Sequence, residues 1–199
     1  MTKHIKKLDG ITRREMLVGS AVAGAGLAVG YSALPGLTGG AREALAAGSF
    51  NHQLFLTMDG GGNATVHITK AEIGQHIGTA LAQAVAEELE IDWNDVRIDY
   101  PDSDEKWGLM LTGGSWSVNW TFDRNSRIGA SARIALVEAG ASLMGVQPNQ
   151  CSVSNSVVTA SDGSNITYAE ILSKAIIDRT FTEEEMKEIQ LKKFGEYNI

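Results

Sequence analysis

The 199-residue chain carries 17 basic and 24 acidic side chains, a net charge of −7, and its 43% of hydrophobic residues suffices for one real core. Its acidity argues against a nucleic-acid or anionic-lipid partner. The lone thiol, Cys151, excludes an intrachain disulfide and any cysteine-ligated iron–sulfur cluster or zinc site made from this chain alone.

At the N-terminus, Lys3, Lys6, Lys7, Arg13 and Arg14 precede an apolar run over residues 16–33 with no charge inside it, the layout of an export signal. The run is rich in Gly and Ala, too weakly apolar and too brief for a membrane span, which needs about 20 strongly apolar residues. Thr12-Arg13-Arg14-Glu15-Met16-Leu17 resembles the twin-arginine export motif, and Ala44-Leu45-Ala46 offers a small-x-small cleavage site. The expectation is a twin-arginine signal over residues 1–47 and a periplasmic mature chain, held at the membrane where the signal is kept as an anchor. Removing residues 1–47 takes six basic and three acidic residues, leaving 11 against 21 and a net charge of −10.

Residues 53–59 alternate as a strand, Gly60-Gly61-Gly62-Asn63 reads as a turn and residues 64–69 as the return strand. This hairpin delivers the chain to a glycine-punctuated turn at Gly74 and then to an amphipathic helix, in which Ile77, Leu81, Val85 and Leu89 recur every four residues. Thr69 with Glu72 fits a capping box that would start the helix early, but two glycines would then lie inside it at a cost of about 1 kcal/mol each. A start near Gly78 or Thr79 is preferred. The unpaired N–H groups and positive dipole end of such a start form a natural cradle for an anion, and Gln75 adds a side chain that both donates and accepts. Neither the P-loop nor the dinucleotide pattern is present, and most glycine-rich turns before helices bind nothing.

The helix is expected to close at residues 91–93, followed by a strand at 96–100 and an acidic loop at 101–106. In that loop Asp102, Asp104 and Glu105 read as solvated carboxylates rather than as a metal site. Residues 107–120 mix glycines, serines, a threonine and three tryptophans, which suits either a polar ligand with rings or an aromatic core anchored by a turn. A second helix is predicted over residues 127–144, with Ile128, Ala132, Leu136, Ala139 and Leu143 on one face and small residues that allow very close packing. A strand at 151–158, with Cys151 buried in it, a turn at 162–163 and a short strand to Thr167 come next. A Thr167–Glu170 capping box then opens a helix over 168–179, and a helical turn at 182–188 leads to an extended tail. The whole reads as α+β: one layer of helices on a small mixed sheet, with a domain at 48–181 and a tail at 182–199 that lies on another chain.

Glu72-Ile73-Gly74-Gln75, followed by Thr79, Gln83 and Ala86-Glu87-Glu88-Leu89, resembles the E-M-G-Q-G segment of the molybdenum hydroxylases, the xanthine dehydrogenase and aldehyde oxidase family. A second block, Leu111-Thr112-Gly113-Gly114-Ser115-Trp116-Ser117-Val118 and then Arg127, Gly129-Ala130 and Ala132-Arg133, resembles that family's T-G-G-S-x-S loop leading into a helix. The likeness is strongest to the isoquinoline oxidoreductase type and runs from about Phe50 to the C-terminus. His76 stands where the family usually has a third glycine, and Ile73 where it has methionine.

The resemblance implies binding of a molybdopterin cytosine dinucleotide through Ile73, Gly74, Gln75, Thr79, Thr112, Gly114, Ser115, Ser117 and Val118, with the two loop-to-helix units facing one ligand. It further implies oxidation of an aldehyde or an N-heteroaromatic with oxygen from water. The partners it implies are a larger molybdopterin-binding subunit holding the substrate pocket and catalytic glutamate, an iron–sulfur subunit with [2Fe-2S] clusters, and a c-type cytochrome. Leu191-Lys192-Lys193-Phe194-Gly195 resembles the connector into that larger portion. An exported binding or escort protein without cofactor is the alternative. The sequence shows no nucleophile–base pair and no metal-ligand spacing among its histidines, so an independent hydrolase is poorly supported.

Overall fold

The computed structural model describes residues 55–193 and 195–198, together with two short strands near the N-terminus. The twin-arginine motif at 12–17 and the cleavage site at 44–46 lie outside the described residues. In chain order the elements are β1 (Ile5–Lys7), β2 (Ala28–Val29), β3 (Leu56–Met58), β4 (Ala64–His67), α1 (Ile77–Leu89), β5 (Val96–Asp99), α2 (Ser117–Met144), β6 (Cys151–Ser154), β7 (Val157–Ala160), β8 (Asn165–Thr167), α3 (Tyr168–Lys174), β9 (Ala175–Ile177) and α4 (Glu183–Glu188). A four-stranded mixed sheet runs β2-β3-β4-β5, β6-β7-β8 form an antiparallel meander, and β1 pairs with β9. The class is α+β, as expected.

β3 and β4 form an antiparallel hairpin, whereas β4 and β5 are parallel and joined by α1, because a parallel pair needs a crossover. The hairpin turn is fixed by Asp59, whose carboxylate accepts from the N–H groups of Gly61 (2.9 Å) and Asn63 (3.0 Å). α2, 28 residues and so about 42 Å long, is the axis of the molecule. It packs against α1 and also touches α3, α4 and β6 to β9.

The α1–α2 contact is made close by small residues: Ala82, Ala86, Ala132, Ala135 and Ala139 are all buried. At Gly129 a Cβ would lie 2.2 Å from the carbonyl oxygen of Val85, so only glycine fits that crossing. Tyr168, fully buried, donates its hydroxyl to the Leu89 carbonyl at 2.7 Å and so satisfies the end of α1 from across the core.

Four elements differ from the sequence reading. α2 begins at Ser117, ten residues before the predicted Arg127, so the supposed loop at 107–120 ends in helix. The predicted strand 151–158 is a hairpin: Asn155 (φ 46°) and Ser156 (φ 64°) are both left-handed and form a two-residue turn between β6 and β7. The helix expected to reach 179 stops at Lys174, and Ala175-Ile176-Ile177 continues as β9, in keeping with its β-branched residues. Cys151 opens β6 half-buried instead of sitting in a core strand.

The tail is held by this chain's own first helix. The Lys192 ammonium lies 3.3 Å from Glu87 and 2.7 Å from Glu90, its N–H donates to Glu88 at 2.9 Å, and the Asn198 N–H reaches Glu87. Three carboxylates in the last turn of a helix oppose its dipole, and the tail supplies the compensating donors.

Candidate functional site

Two loops stand before the two long helices. The first, residues 68–76, feeds α1; the second, residues 108–116, feeds α2. They are cross-tied: the Lys70 ammonium donates to the Leu111 carbonyl at 2.9 Å, and the Ala71 N–H donates to the Thr112 hydroxyl at 2.7 Å. The sequence reading put both loops at one site, and these two bonds bring them side by side.

Within the first loop, Gly74 takes φ 96° and His76, the N-cap of α1, takes φ 58°; both bend the chain into the helix. Gln75 braces its own loop, its Oε1 accepting from the Ile73 N–H at 2.7 Å and its Nε2 donating to the Ala71 carbonyl at 2.8 Å. The anion cradle expected at this helix start is filled from within the chain. Glu72 Oε1 accepts from the N–H groups of Gly74 (2.7 Å) and His76 (3.0 Å), and its Oε2 meets the Tyr100 hydroxyl at 3.4 Å. Desolvation pushes this carboxyl up, but the N–H groups of His76, Gly74 and Gly78 together with Tyr100 outweigh it and hold it below the ordinary carboxylate value.

The start of α2 is the opposite case. Trp116, its N-cap, makes no side-chain cap bond, and no acidic residue lies in the first turn. Gly114 (φ 60°) and Ser115 (φ 58°) are consecutive left-handed residues leading into it. Such a turn points successive N–H groups to one side, and with the Ser115 and Ser117 hydroxyls they make an exposed donor set fit for an anion. Of the predicted contact residues, Ile73, Gly74, Gln75, Gly114, Ser115 and Val118 are exposed, and Thr79, Thr112 and Ser117 are half-buried. Six of these nine residues are thus open to solvent. Two surface depressions lie elsewhere, one along 149–152 and 159–161 and one beside Glu87 and Glu90.

Two residues that sequence reasoning missed stand behind this face. Lys70 is 4% exposed. Arg124, two helical turns beyond Ser117 on the same side of α2, lays its guanidinium 4.0 Å over the Phe55 ring. Burial pulls Arg124 down to about 10, and burial followed by the Arg124 charge pulls Lys70 below its ordinary value. Of the predicted aromatic cluster only Trp107 is buried; Trp116 and Trp120 lie against one another with ring centroids 4.2 Å apart and planes tilted by 53°, and both are half-exposed.

Among the described residues no three His, Cys, Asp or Glu side chains could hold a metal ion, and no helix is long and apolar enough to cross a membrane. His67 is bonded to Asp99 at 2.8 Å and Thr57 at 3.1 Å within the sheet.

Two cross-tied, glycine-bearing loops at helix starts, one with uncapped donors, are the candidate binding face of this α+β domain. A model of the molybdopterin cofactor-binding domain matches residues 6–198, and the chain belongs to that family. It is 46% identical over 152 residues to a membrane-bound aldehyde dehydrogenase (pyrroloquinoline-quinone) of Gluconacetobacter polyoxogenes, covering 76% of this chain and 20% of that one. It is 28% identical over 180 residues to the isoquinoline 1-oxidoreductase subunit beta of Brevundimonas diminuta, covering 86% and 23%. The fold is shared with a Cu,Mo-CO dehydrogenase structure at a TM-score of 0.51 and 18% identity, over 57% of this chain and 15% of that one. The chain thus spans about a fifth of the length of the relatives it matches.

Proposed function

We propose that this chain is a molybdopterin cytosine dinucleotide-binding subunit of an exported, multi-subunit molybdenum hydroxylase that oxidises an aldehyde or an N-heteroaromatic with oxygen from water. The family match over residues 6–198, falling on two loops tied together by the Lys70–Leu111 and Ala71–Thr112 bonds, carries this reading. The names of the two relatives support the two substrate classes, and residues 12–17 and 44–46 support export to the periplasm.

On this reading the α2 cradle of Gly114, Ser115, Ser117 and Val118 takes the cofactor's anionic part, with Ile73, Gly74 and Gln75 shaping the adjoining surface. Thr112 sets the distance between the loops, and Thr79 lies in the first turn of α1 beside them. The bound molybdenum centre supplies the two-electron oxidation. This chain contributes no catalytic residue; the substrate pocket falls to a larger molybdopterin-binding subunit. Electron removal would fall to [2Fe-2S] clusters on an iron–sulfur subunit and to a c-type cytochrome, since Cys151 alone holds no cluster.

The test is purification of the complex containing this chain from the cell envelope, with assay of molybdenum, of pterin and of quinone cofactor. Gln75→Ala loosens the first loop by removing bonds at both ends of one side chain, each worth about 1 kcal/mol. Molybdenum content should fall with turnover per bound metal unchanged. Full molybdenum with lost turnover makes Gln75 substrate-facing; a chain that purifies alone without pterin is an escort; a complex with quinone in place of pterin sinks the reading.

A further inference from the structure

A strand needs a partner for the N–H and C=O groups along its edge, and an edge left open invites another chain to supply one. β9 makes that demand while its own place is fixed. It lies against α2 and α3 with Ala175 1% and Ile177 5% exposed, and the Ala175 N–H closes α3 on the Ile171 carbonyl. Ile176, between them, is 45% exposed. Among the described residues the one strand partner of β9 is β1, antiparallel, with Ile5 opposite Ile177 and Lys7 opposite Ala175. β3 is closed in the same way: β4 covers one edge and β2 the other, with Ala28 opposite Thr57 and Val29 opposite Leu56.

Both closing strands stand before the expected cleavage site Ala44-Leu45-Ala46 and on either side of Arg13-Arg14 in the sequence. Cleavage there would leave β9 without a strand partner and β3 with an open edge, although the core still holds both strands in place. The charges favour the pairing as well, since residues 1–47 carry six basic and three acidic side chains, a net +3, against −10 on the remainder. Tethered to the domain, β1 and β2 compete at an effective concentration well above that of a free partner.

We propose that β1 and β2 are placeholders that keep two strand-accepting edges closed until export, and that after cleavage an extended, net-basic segment of the larger subunit adds antiparallel to β9 in place of β1. The inference rests on the exported, multi-subunit reading above and adds to it an interaction edge, Ala175–Ile177, and an order of events: assembly follows removal of residues 1–47.

Hydrogen–deuterium exchange on the full 199-residue chain reads the edges directly. In wild type the slower-exchanging of the Ile176 and Ile177 amides should be at least about tenfold slower than in Ile5→Pro/Lys6→Pro, which removes two adjacent donors and so breaks the ladder whichever of them points at β9. Amides of α1 should be unchanged, which keeps an opened edge apart from a general loss of fold. Ala28→Pro/Val29→Pro should expose Leu56–Met58 and leave β9 protected. A precursor held uncleaved by Ala46→Leu should fail to bind the larger subunit, adding Ile5→Pro/Lys6→Pro to it should restore binding, and in the cleaved complex β9 should be protected again.

Equal β9 exchange in wild type and Ile5→Pro/Lys6→Pro overturns the placeholder. An uncleaved precursor that binds the larger subunit as well as the cleaved chain does, or β9 amides left open in the cleaved complex, overturns the exchange of strands. Absence of a larger subunit, molybdenum and pterin from the purified material rejects the underlying reading and with it the partner strand, whereas the hold of β1 on β9 is decided by the exchange rates of the chain alone.

Discussion

Single atoms decide several positions in this chain, and the glycines of α2 show how differently. At Gly129 the obstacle to a Cβ is backbone, the Val85 carbonyl at 2.2 Å, which cannot move without parting two helices; at Gly140 it is the Ile171 Cδ1 at 2.9 Å, the end of a side chain that can rotate. Gly129→Ala should therefore destabilise by about 3 kcal/mol and Gly140→Ala by under about 1 kcal/mol, read from urea midpoints. Equal costs would mean that the α1–α2 crossing is softer than its geometry implies. The presence of small residues, and the close packing they permit, was legible in the sequence; which glycine faces backbone was not, since that depends on how two helices cross. The same holds at the first loop. Gly74 announced the turn, but the occupant of the helix start, Glu72, lies five residues before Ile77, and nothing local shows that its carboxylate folds back.

At the scale of elements, the strongly periodic segments were read correctly and their ends were not. α2 was predicted ten residues short because Trp116, Val118, Trp120 and Phe122 fall at every second residue, a spacing that marks no single helical face, and all four are exposed rather than packed in the core. The β6–β7 turn was hidden because its residues are Asn-Ser and not the usual Asn-Gly. The tail was read as lying on another chain; within this chain it bonds to the last turn of α1. Lys192→Met would remove the ammonium held beside Glu87 and Glu90 and should cost about 3 kcal/mol in unfolding free energy. Glu88 lies beneath this latch and makes it sensitive to pH. Burial raises its carboxyl, against the Lys192 N–H and the charges of Arg133 and Lys192, which lower it. A raised carboxyl binds its proton more tightly in the folded chain than in the unfolded one, so its contribution is favourable near and below 4.5 and is lost as pH climbs through the folded value. Glu88→Gln should flatten that loss: its stability relative to wild type, followed from pH 4 to 8, should improve across the window and then level off. A difference independent of pH would show that Glu88 does not titrate above its ordinary value.

Among the described residues, the most exposed large apolar side chains gather around the two loops. Ile73 is 81% exposed, Leu109 69%, Leu111 56%, Trp116 52% and Trp120 49%, and all of them belong to the two cross-tied loops and the first turn of α2. Apolar side chains exposed so fully, and gathered around the predicted contact residues, mark an interaction surface. On the proposed function, the fitting occupant of this face is the larger molybdopterin-binding subunit, with the cofactor between. The full chain expressed alone should then self-associate at micromolar concentration, burying the loops against a second copy for want of the proper partner. Replacing Trp116 and Trp120 together by Ser should give a monomer in sedimentation with unchanged far-ultraviolet circular dichroism, because the two rings lie against each other outside the core. The same variant should no longer co-purify with the larger subunit. A wild-type chain that is monomeric and unfolds cooperatively on its own, or a double variant that still assembles, would show that these loops face solvent in the working protein and that the partner docks elsewhere.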